Sequence, residues 1–521
     1  MPFKISTIIL TLTLLTGFTI RIIAIQDNPP GFFADEADIG YRAWQLVRGK
    51  EISAYTNLMY MPAFGFYRPA LPVWFTTIPV AMFGLNIFSV RLASVIVGTL
   101  AIWAVYAMTM SLTKRTPVAL ISAFLVAISP WHVHMSRVAF EGIYLTLFQT
   151  TGIWLLLKKN YYAGAAILGL SFYAYHPAIL QSTGLFLGIL LFILKEISWR
   201  QRGISVLIFL VTLIPFFHGI KTNISLSRLS QVSIAKNKDT DIKEKAGQFL
   251  GNYLAHFSHE FLFSKGDIGM PKQFITRHSI QDMGELYQWQ SVFLLFGVIS
   301  LLRRTSRTTL FLLLGWFFLY PFGSALTFDA GPQATRSIMG VIPFQVLTAI
   351  GVYWTYVQTT HFVNERFSGK QIILTVKIYI ITLFTATIVF STGMFLYRFF
   401  VQYPLYAADF WGWQFGARQV VSSFMSHATQ YDAVYVQPEF NSPEIFFSFF
   451  DPETTCGNCH VGWMHEKINP NVRQLFAVTP AVFLKEREII ISRSGTLRTT
   501  GYVYYPDGTV AFLLVESLPR Q

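Results

Sequence analysis

Side chains able to act on a substrate fall in a few short clusters of this 521-residue chain. Two adjacent carboxylates, Asp35 and Glu36, follow an apolar N-terminal run and a Pro29-Pro30-Gly31 turn, with Asp38 close behind. Neighbouring carboxylates beside apolar residues raise each other's proton affinity, at least in one member. One of them could act as a general base toward an acceptor hydroxyl, or both could bind a divalent cation. The same acids would also suit the start of a helix over 37–48, where negative charge offsets unpaired N–H groups.

A second cluster runs from Ser129 to Glu141 and holds His132, His134 and Arg137. The fork of Arg137 matches phosphate oxygens bidentately. Its spacing from Glu141 equally fits an ion pair on one helix face. His132 and His134 could ligate a metal, although alternate residues on a helix face apart. Tyr67-Arg68-Pro69 offers an anion contact, and Arg336 lies in Gly331-Pro332-Gln333-Ala334-Thr335-Arg336. His256, His259 and Glu260 sit in the long stretch 219–289, where a substrate lid could form. His176, in Tyr175-His176-Pro177, reads as a substrate contact or as a half-buried interfacial histidine. Cys456-Gly457-Asn458-Cys459-His460 has the spacing of a haem attachment site, but nothing near this short match resembles a haem pocket, so a local disulfide is the leading reading, ahead of a metal ligand pair or free thiols.

The elements that must position these residues are membrane helices. Only 13% of the residues are charged and 53% are hydrophobic, with a mean hydropathy of +0.45. A soluble chain carries roughly a quarter charged residues. The net charge of +13 does not mark a nucleic-acid partner, because the basic residues sit in short clusters between apolar runs. Two cysteines exclude a disulfide scaffold. The first run continues past Arg21 with no small-residue cleavage pattern, so it reads as an uncleaved span.

A span takes about 20 mostly apolar residues. Eleven runs qualify or nearly qualify: 5–25, 90–112, 118–131, 141–157, 161–176, 178–194, 203–218, 290–302, 308–322, 338–357 and 371–397. Lys4, Lys114/Arg115, Lys158/Lys159, Lys195 with Arg200 and Arg202, Arg303/Arg304/Arg307, and Arg366/Lys370 fall at every second connection. These are the cytoplasmic connections if the proline-rich segment 71–85 lies flat at the interface instead of spanning. Loops 26–89, 131–141, 219–289 and 323–337 are then extracytoplasmic, as is the tail, and every unusual polar cluster falls on that face. Residues 1–400 read as the membrane domain, and 401–521 as a small α/β domain. In the tail, strands are expected at 433–436, 481–484 and 488–491, a helix at 416–426, and a hairpin at 502–505 and 509–515 around Pro506-Asp507-Gly508.

These residues together resemble a known family. The carrying segments are Asp35-Glu36-Ala37-Asp38-Ile39-Gly40-Tyr41-Arg42-Ala43 after an uncleaved first span, Arg68-Pro69-Ala70-Leu71-Pro72, Phe83 to Leu92 with Arg91, and Ser136-Arg137-Val138-Ala139-Phe140-Glu141. The pattern is similar to the GT-C glycosyltransferases of the protein O-mannosyltransferase and aminoarabinose transferase type. It is clearest over residues 1–160 and near 316–352. The resemblance implies a polytopic α-helical GT-C fold of about eleven transmembrane helices and a polyprenyl-phosphate sugar donor. Transfer would take place at the extracytoplasmic face of the cell membrane, to an acceptor that is a protein, lipid or glycan. It implies Asp35 as the essential acid with Glu36 beside it, and Glu141 where the family usually has Asp. Arg68 replaces the lysine of the family's Lys-Pro-Pro. Arg68, Arg137 and Arg336 become candidates for the donor phosphate, and Tyr67, His132, His134, His176, His259 and Glu260 for further substrate contacts. The resemblance leaves metal dependence open, since related enzymes differ, and the divalent cation stays the one cofactor reading.

A transporter of lipid-linked sugars is the main rival, and a membrane assembly protein that recruits partners through its tail is another. Transporters place polar residues near the bilayer midplane on broken helices, whereas the clusters here gather at one face. No Rossmann-type glycine fingerprint is present, in keeping with a lipid-linked donor rather than a soluble nucleotide sugar.

Overall fold

The computed structural model describes residues 3–50, 58–194, 196–236, 241–268, 275–304, 307–328, 331–438 and 442–519. Lys195, read above as a cytoplasmic residue, lies outside them. Helix α1 (Phe3–Ile22) holds the first apolar run, and α2 (Ala34–Val47) follows the Pro29-Pro30-Gly31 turn. Helix α2 opens three residues earlier than the 37–48 expected, which brings Asp35 and Glu36 inside its first turn. A hairpin of β1 (Tyr60–Ala63) and β2 (Phe66–Pro69) turns at Gly65, whose φ is +76°, and leads into α3 (Leu71–Phe83). Proline near the start of α3 gives up an N–H that has no helical partner there. Ile78, Met82 and Phe83 stay exposed along it.

The apolar helices follow. In α4 (Ile87–Thr113), Asn86 and Ser89 exchange side chain to backbone bonds of 2.9 and 3.2 Å that close the first turn. Next come α5 (Thr116–Ile128), α6 (Pro130–Met135), α7 (Gly142–Leu157), α8 (Tyr161–Leu170) and α9 (Ala178–Gly188). Helices α10 (Trp199–Thr212) and α11 (Ile214–Lys221) meet at a bend of 45° beside Pro215. The long loop contains α12 (Ser227–Val232) and α13 (Ile242–Ala255). It leads to α14 (Gln290–Arg304), α15 (Arg307–Leu319), α16 (Phe322–Ala325), α17 (Val341–Arg366), α18 (Lys370–Tyr397) and α19 (Tyr403–Tyr406).

Each of the eleven predicted runs holds a helix. Among the described residues, five helices are long and apolar enough to cross a bilayer alone, and α10 with α11 would make a sixth. The chain is a multi-pass membrane protein. Without a hydrophobic drive between helices in lipid, close packing relies on small residues. A Cβ on Gly297 of α14 would fall 2.1 Å from the Leu347 carbonyl, and one on Gly351 of α17 would fall 1.8 Å from the Phe293 carbonyl. Glycine at both positions lets these two backbones touch.

After α19, helix α20 (Ala417–His427) begins close to the predicted position. The tail then forms a mixed sheet in the order β4-β3-β5-β7-β6. Strands β3 (Ala433–Val436), β4 (Cys459–Val461) and β5 (Gln474–Val478) run parallel, while β7 (Val510–Leu518) is antiparallel to β5 and to β6 (Thr496–Tyr504). Helix α21 (Glu444–Phe450) lies between β3 and β4, and α22 (Met464–Lys467) between β4 and β5. Two expected strands are helices instead: 481–484 falls in α23 (Pro480–Lys485) and 488–491 in α24 (Arg487–Arg493). Val482 and Ile490 are the buried members of these helices. Short Val/Ile runs carry the same pattern in either state, and Pro480 at a helix start decides the first. The hairpin is present and longer than expected, with Gly508 at φ +85° in its turn. Cys456 and Cys459 form a disulfide, which settles the cysteine motif against haem attachment, free thiols and a metal pair.

Candidate functional site

The catalytic candidates converge through an arginine. Asp35 is the second residue of α2, and the hairpin brings Arg68, fully buried on β2, beneath it. Arg68 Nη2 donates to Asp35 Oδ1 at 2.7 Å, and Nη1 donates to the Asp35 carbonyl at 3.1 Å. Its Nε stands 3.3 Å from Asp38, and its Nη1 stands 3.8 Å from Glu141. One guanidinium therefore balances three carboxylates. Burial pushes the Asp38 carboxyl above its usual range, against the pull of Arg68 and Arg42. Asp35 keeps about a third of its side chain exposed (34%), and Glu141 18%.

Asp35, Glu141 and Arg68 line one cavity of about 440 Å³. The same cavity is lined by Arg336 and His176 from the sequence-derived set, and by Arg228, Arg277 and His278, which sequence reasoning missed. Arg228 sits on α12 with its guanidinium 4.7 Å from the ring of Phe66. Arg277 lies 3.9 Å over Phe33 and donates to the Trp411 carbonyl at 2.7 Å. Burial lowers its pKa to about 10, partly offset by the negative charge of Asp35. Arg336 donates to Thr327 Oγ1 at 2.7 Å. His278 turns Nδ1 toward Asp267 at 3.5 Å, and burial holds its imidazole below the usual range. A cationic side and an acidic side thus meet in one space, as a phosphate-leaving reaction requires. The adjacency of Arg277 and His278 was the one signal in the long loop that could have been read.

Arg137 is not in this cavity. It is buried and donates to the carbonyls of Ile20, Arg21, Ile23, Ala24 and Asn28 at 2.7–3.3 Å. Ile20 and Arg21 lie in the last turn of α1 and the other three in the turn that follows it, so both ends of the Arg137 fork are spent on holding the exit of that helix. It makes no pair with Glu141, because the chain between them is not helical. Glu36 is likewise withdrawn from chemistry. It is fully buried in a two-point pair with Arg91 at 2.9 Å on each oxygen, and it accepts from Ala139 N and Phe33 N. The bond to Phe33 N realises the capping role that its place in the sequence also allowed.

Arg68 lines the cavity but is committed to carboxylates, so it serves as their counter-ion rather than as a phosphate clamp. His132 is buried against Arg21 at 2.8 Å, and His134 against the Tyr403 hydroxyl at 3.0 Å; they face different partners, as alternate residues do. Tyr67 is half-buried in the hairpin and its N–H donates to Ser227. His259 and Glu260 are exposed and stand outside the cavity lining. Among the described residues no group of three His, Cys, Asp or Glu side chains could hold a metal ion.

A family model described as dolichyl-phosphate-mannose-protein mannosyltransferase matches residues 11–193. The chain is similar in structure to ArnT from Cupriavidus metallidurans bound to undecaprenyl phosphate, with a TM-score of 0.53 and 10% identity over 99% of this chain and 98% of that one. It is also similar to an Archaeoglobus fulgidus oligosaccharyltransferase tethered to an acceptor peptide, with a TM-score of 0.54 and 11% identity over 98% of this chain and 74% of that one. The archaeal AglB from the same organism, in complex with an inhibitory peptide and a dolichol-phosphate, scores 0.50 at 12% identity, over 98% of this chain and 74% of that one. No curated protein matches the chain. Over nearly its whole length the chain shares the fold of these solved structures, and the family model covers its N-terminal part, in the direction of the sequence resemblance.

Proposed function

We propose that the protein transfers a sugar from a polyprenyl-phosphate donor to an acceptor on the extracytoplasmic side of the plasma membrane. The observation that carries this reading is the shared cavity, where Asp35 and Glu141 meet Arg228, Arg277, Arg336 and His278. The bound undecaprenyl phosphate of the ArnT structure and the dolichol-phosphate of the AglB structure support the donor class.

In this reading the acceptor oxygen attacks the anomeric carbon, and the bond from that carbon to the phosphate oxygen breaks. The acceptor proton passes to Asp35, whose exposed face opens on the cavity. The phosphate leaves with one more negative charge, which Arg228, Arg277 and Arg336 stabilise. Glu141 orients the acceptor. The N-terminus and the basic connections lie in the cytoplasm, residues 1–400 form the membrane domain, and 401–521 form the extracytoplasmic one.

Purified protein in liposomes, given a polyprenyl phosphate carrying a radiolabelled sugar and host membranes as acceptor, tests the proposal. Release of free polyprenyl phosphate together with labelled acceptor is expected. Movement of intact donor across the bilayer without bond cleavage would make the protein a transporter.

A further inference from the structure

Helix α2 carries Asp35, yet its N-cap residue is Phe33, which has no side-chain acceptor for the helix's first N–H groups. The Ala34 N–H, one peptide from Asp35, instead donates to Gln414 Oε1 at 2.9 Å. Gln414 is 1% exposed and lies far along the chain, in the segment that follows α19. Its φ is +52°, in the left-handed region that a glutamine rarely adopts. Such a conformation persists only where the surroundings hold it. Here they do: Gln414 N donates to the Asp409 carbonyl, Trp413 N to the Ala407 carbonyl and Phe415 N to the Ala408 carbonyl.

The same short segment touches the cavity's other sides. The Trp411 carbonyl accepts from Arg277, and Asp409 Oδ1 accepts from Thr276 at 3.0 Å. Trp413 stacks on Phe140, next to Glu141, with ring centroids 5.6 Å apart. Its indole N–H donates to the Tyr403 hydroxyl, which in turn donates to the Arg277 carbonyl at 3.0 Å. Residues 407–415 thus hold the acidic helix and the cationic loop at once.

We propose that Gln414 is a positioning residue: it caps α2 from across the molecule and, with its segment, fixes Asp35 relative to Arg277. The proposal rests on the glycosyl-transfer reading of the cavity. It assigns the chain after the last span a part in catalysis, with no contact to substrate. A misplacement of about an ångström in such a site lowers turnover about a hundredfold.

Two variants separate positioning from folding. Gln414→Gly suits the positive φ and removes the acceptor, whereas Gln414→Glu keeps an acceptor at the same reach. Hydrogen exchange on the full-length protein should show the first turn of α2 exchanging about tenfold faster in Gln414→Gly, with the melting temperature and the exchange of α4 unchanged. Gln414→Glu should restore protection. In the liposome assay, Gln414→Gly should lower kcat at least tenfold while leaving the donor KM unchanged. Unchanged exchange in Gln414→Gly, or faster exchange spread over the whole chain with a lower melting temperature, would overturn the proposal. If Asp35→Asn keeps full transfer, the reading of the cavity fails and the exchange result still decides the cap. If Asp35→Asn is inactive while Gln414→Gly keeps its kcat, the site stands and the positioning role falls.

Discussion

The arginines of the two outer regions differ in what their guanidinium groups are given to do. In the N-terminal region, Arg68, Arg91 and Arg137 are fully buried and bonded to the chain: three carboxylates for Arg68, Glu36 with three carbonyls for Arg91, five carbonyls for Arg137. In the later region, Arg228, Arg277 and Arg336 are half-buried and line the cavity. A buried arginine near a site reads as a binder until its bonds are counted, and counting moves the proposed phosphate contacts to the half-buried set. The acids divide the same way, with Glu36 consumed by Arg91 while Asp35 keeps an open face.

The sharpest test of this division is at the acids. Asp35→Asn should lower transfer about a thousandfold, within the range for loss of a general base. The protein should still fold, because Arg68 retains Asp38 and Glu141. Steady-state kinetics beside a melting curve would show it; a folded variant with near-normal turnover would remove Asp35 from the mechanism. Arg277→Gln and Arg336→Gln should each cost about a hundredfold in kcat/KM. They should also weaken capture of undecaprenyl phosphate in a direct binding assay. Full affinity in both would return the phosphate to the N-terminal arginines and erase the contrast.

The structural set should fail differently. Glu36→Gln breaks a buried two-point ion pair and leaves Arg91 without its anion, a loss of about 3–5 kcal/mol. Arg137→Met removes the side-chain donor of carbonyls at and just after the end of α1, and should destabilise by roughly 3 kcal/mol, since each buried orphan costs about 1–3. Both should appear as lower melting temperatures and poor yield, with near-normal donor affinity in the fraction that folds. A stable Arg137→Met protein that had lost donor binding would make Arg137 a ligand after all.

What could be read from the chain follows from range. Helices such as α4 and α17 were legible because their apolar runs satisfy the bilayer locally, and the Asp35-Glu36 pair because adjacency shows without a fold. The commitment of Arg137 was not legible, since its partners lie more than a hundred residues upstream. Arg228 stands alone in a long loop, the adjacent Arg277 and His278 show no partner in the sequence, and only the fold brings the three to the cavity of Asp35. In the tail, β3 and the hairpin carried their own turn and strand signals, whereas 481–484 and 488–491 were too short for periodicity to separate helix from strand.

The smallest effect belongs to the motif that looked most like a lid. His259 and Glu260 are exposed, and His259 packs its ring on Phe263 rather than on any residue of the cavity. A double change to alanine should shift stability by no more than about 0.5 kcal/mol and leave kcat and KM as they are. Nearby His256 is different: its Nδ1 bonds the Asn252 carbonyl, and its own carbonyl accepts from Tyr320, so it holds the loop to the span. If the exposed pair proved to lower kcat while His256→Asn did not, the loop would close over substrate through its surface. The cationic side of the cavity would then be set by loop closure and not by the fixed contacts of Arg277.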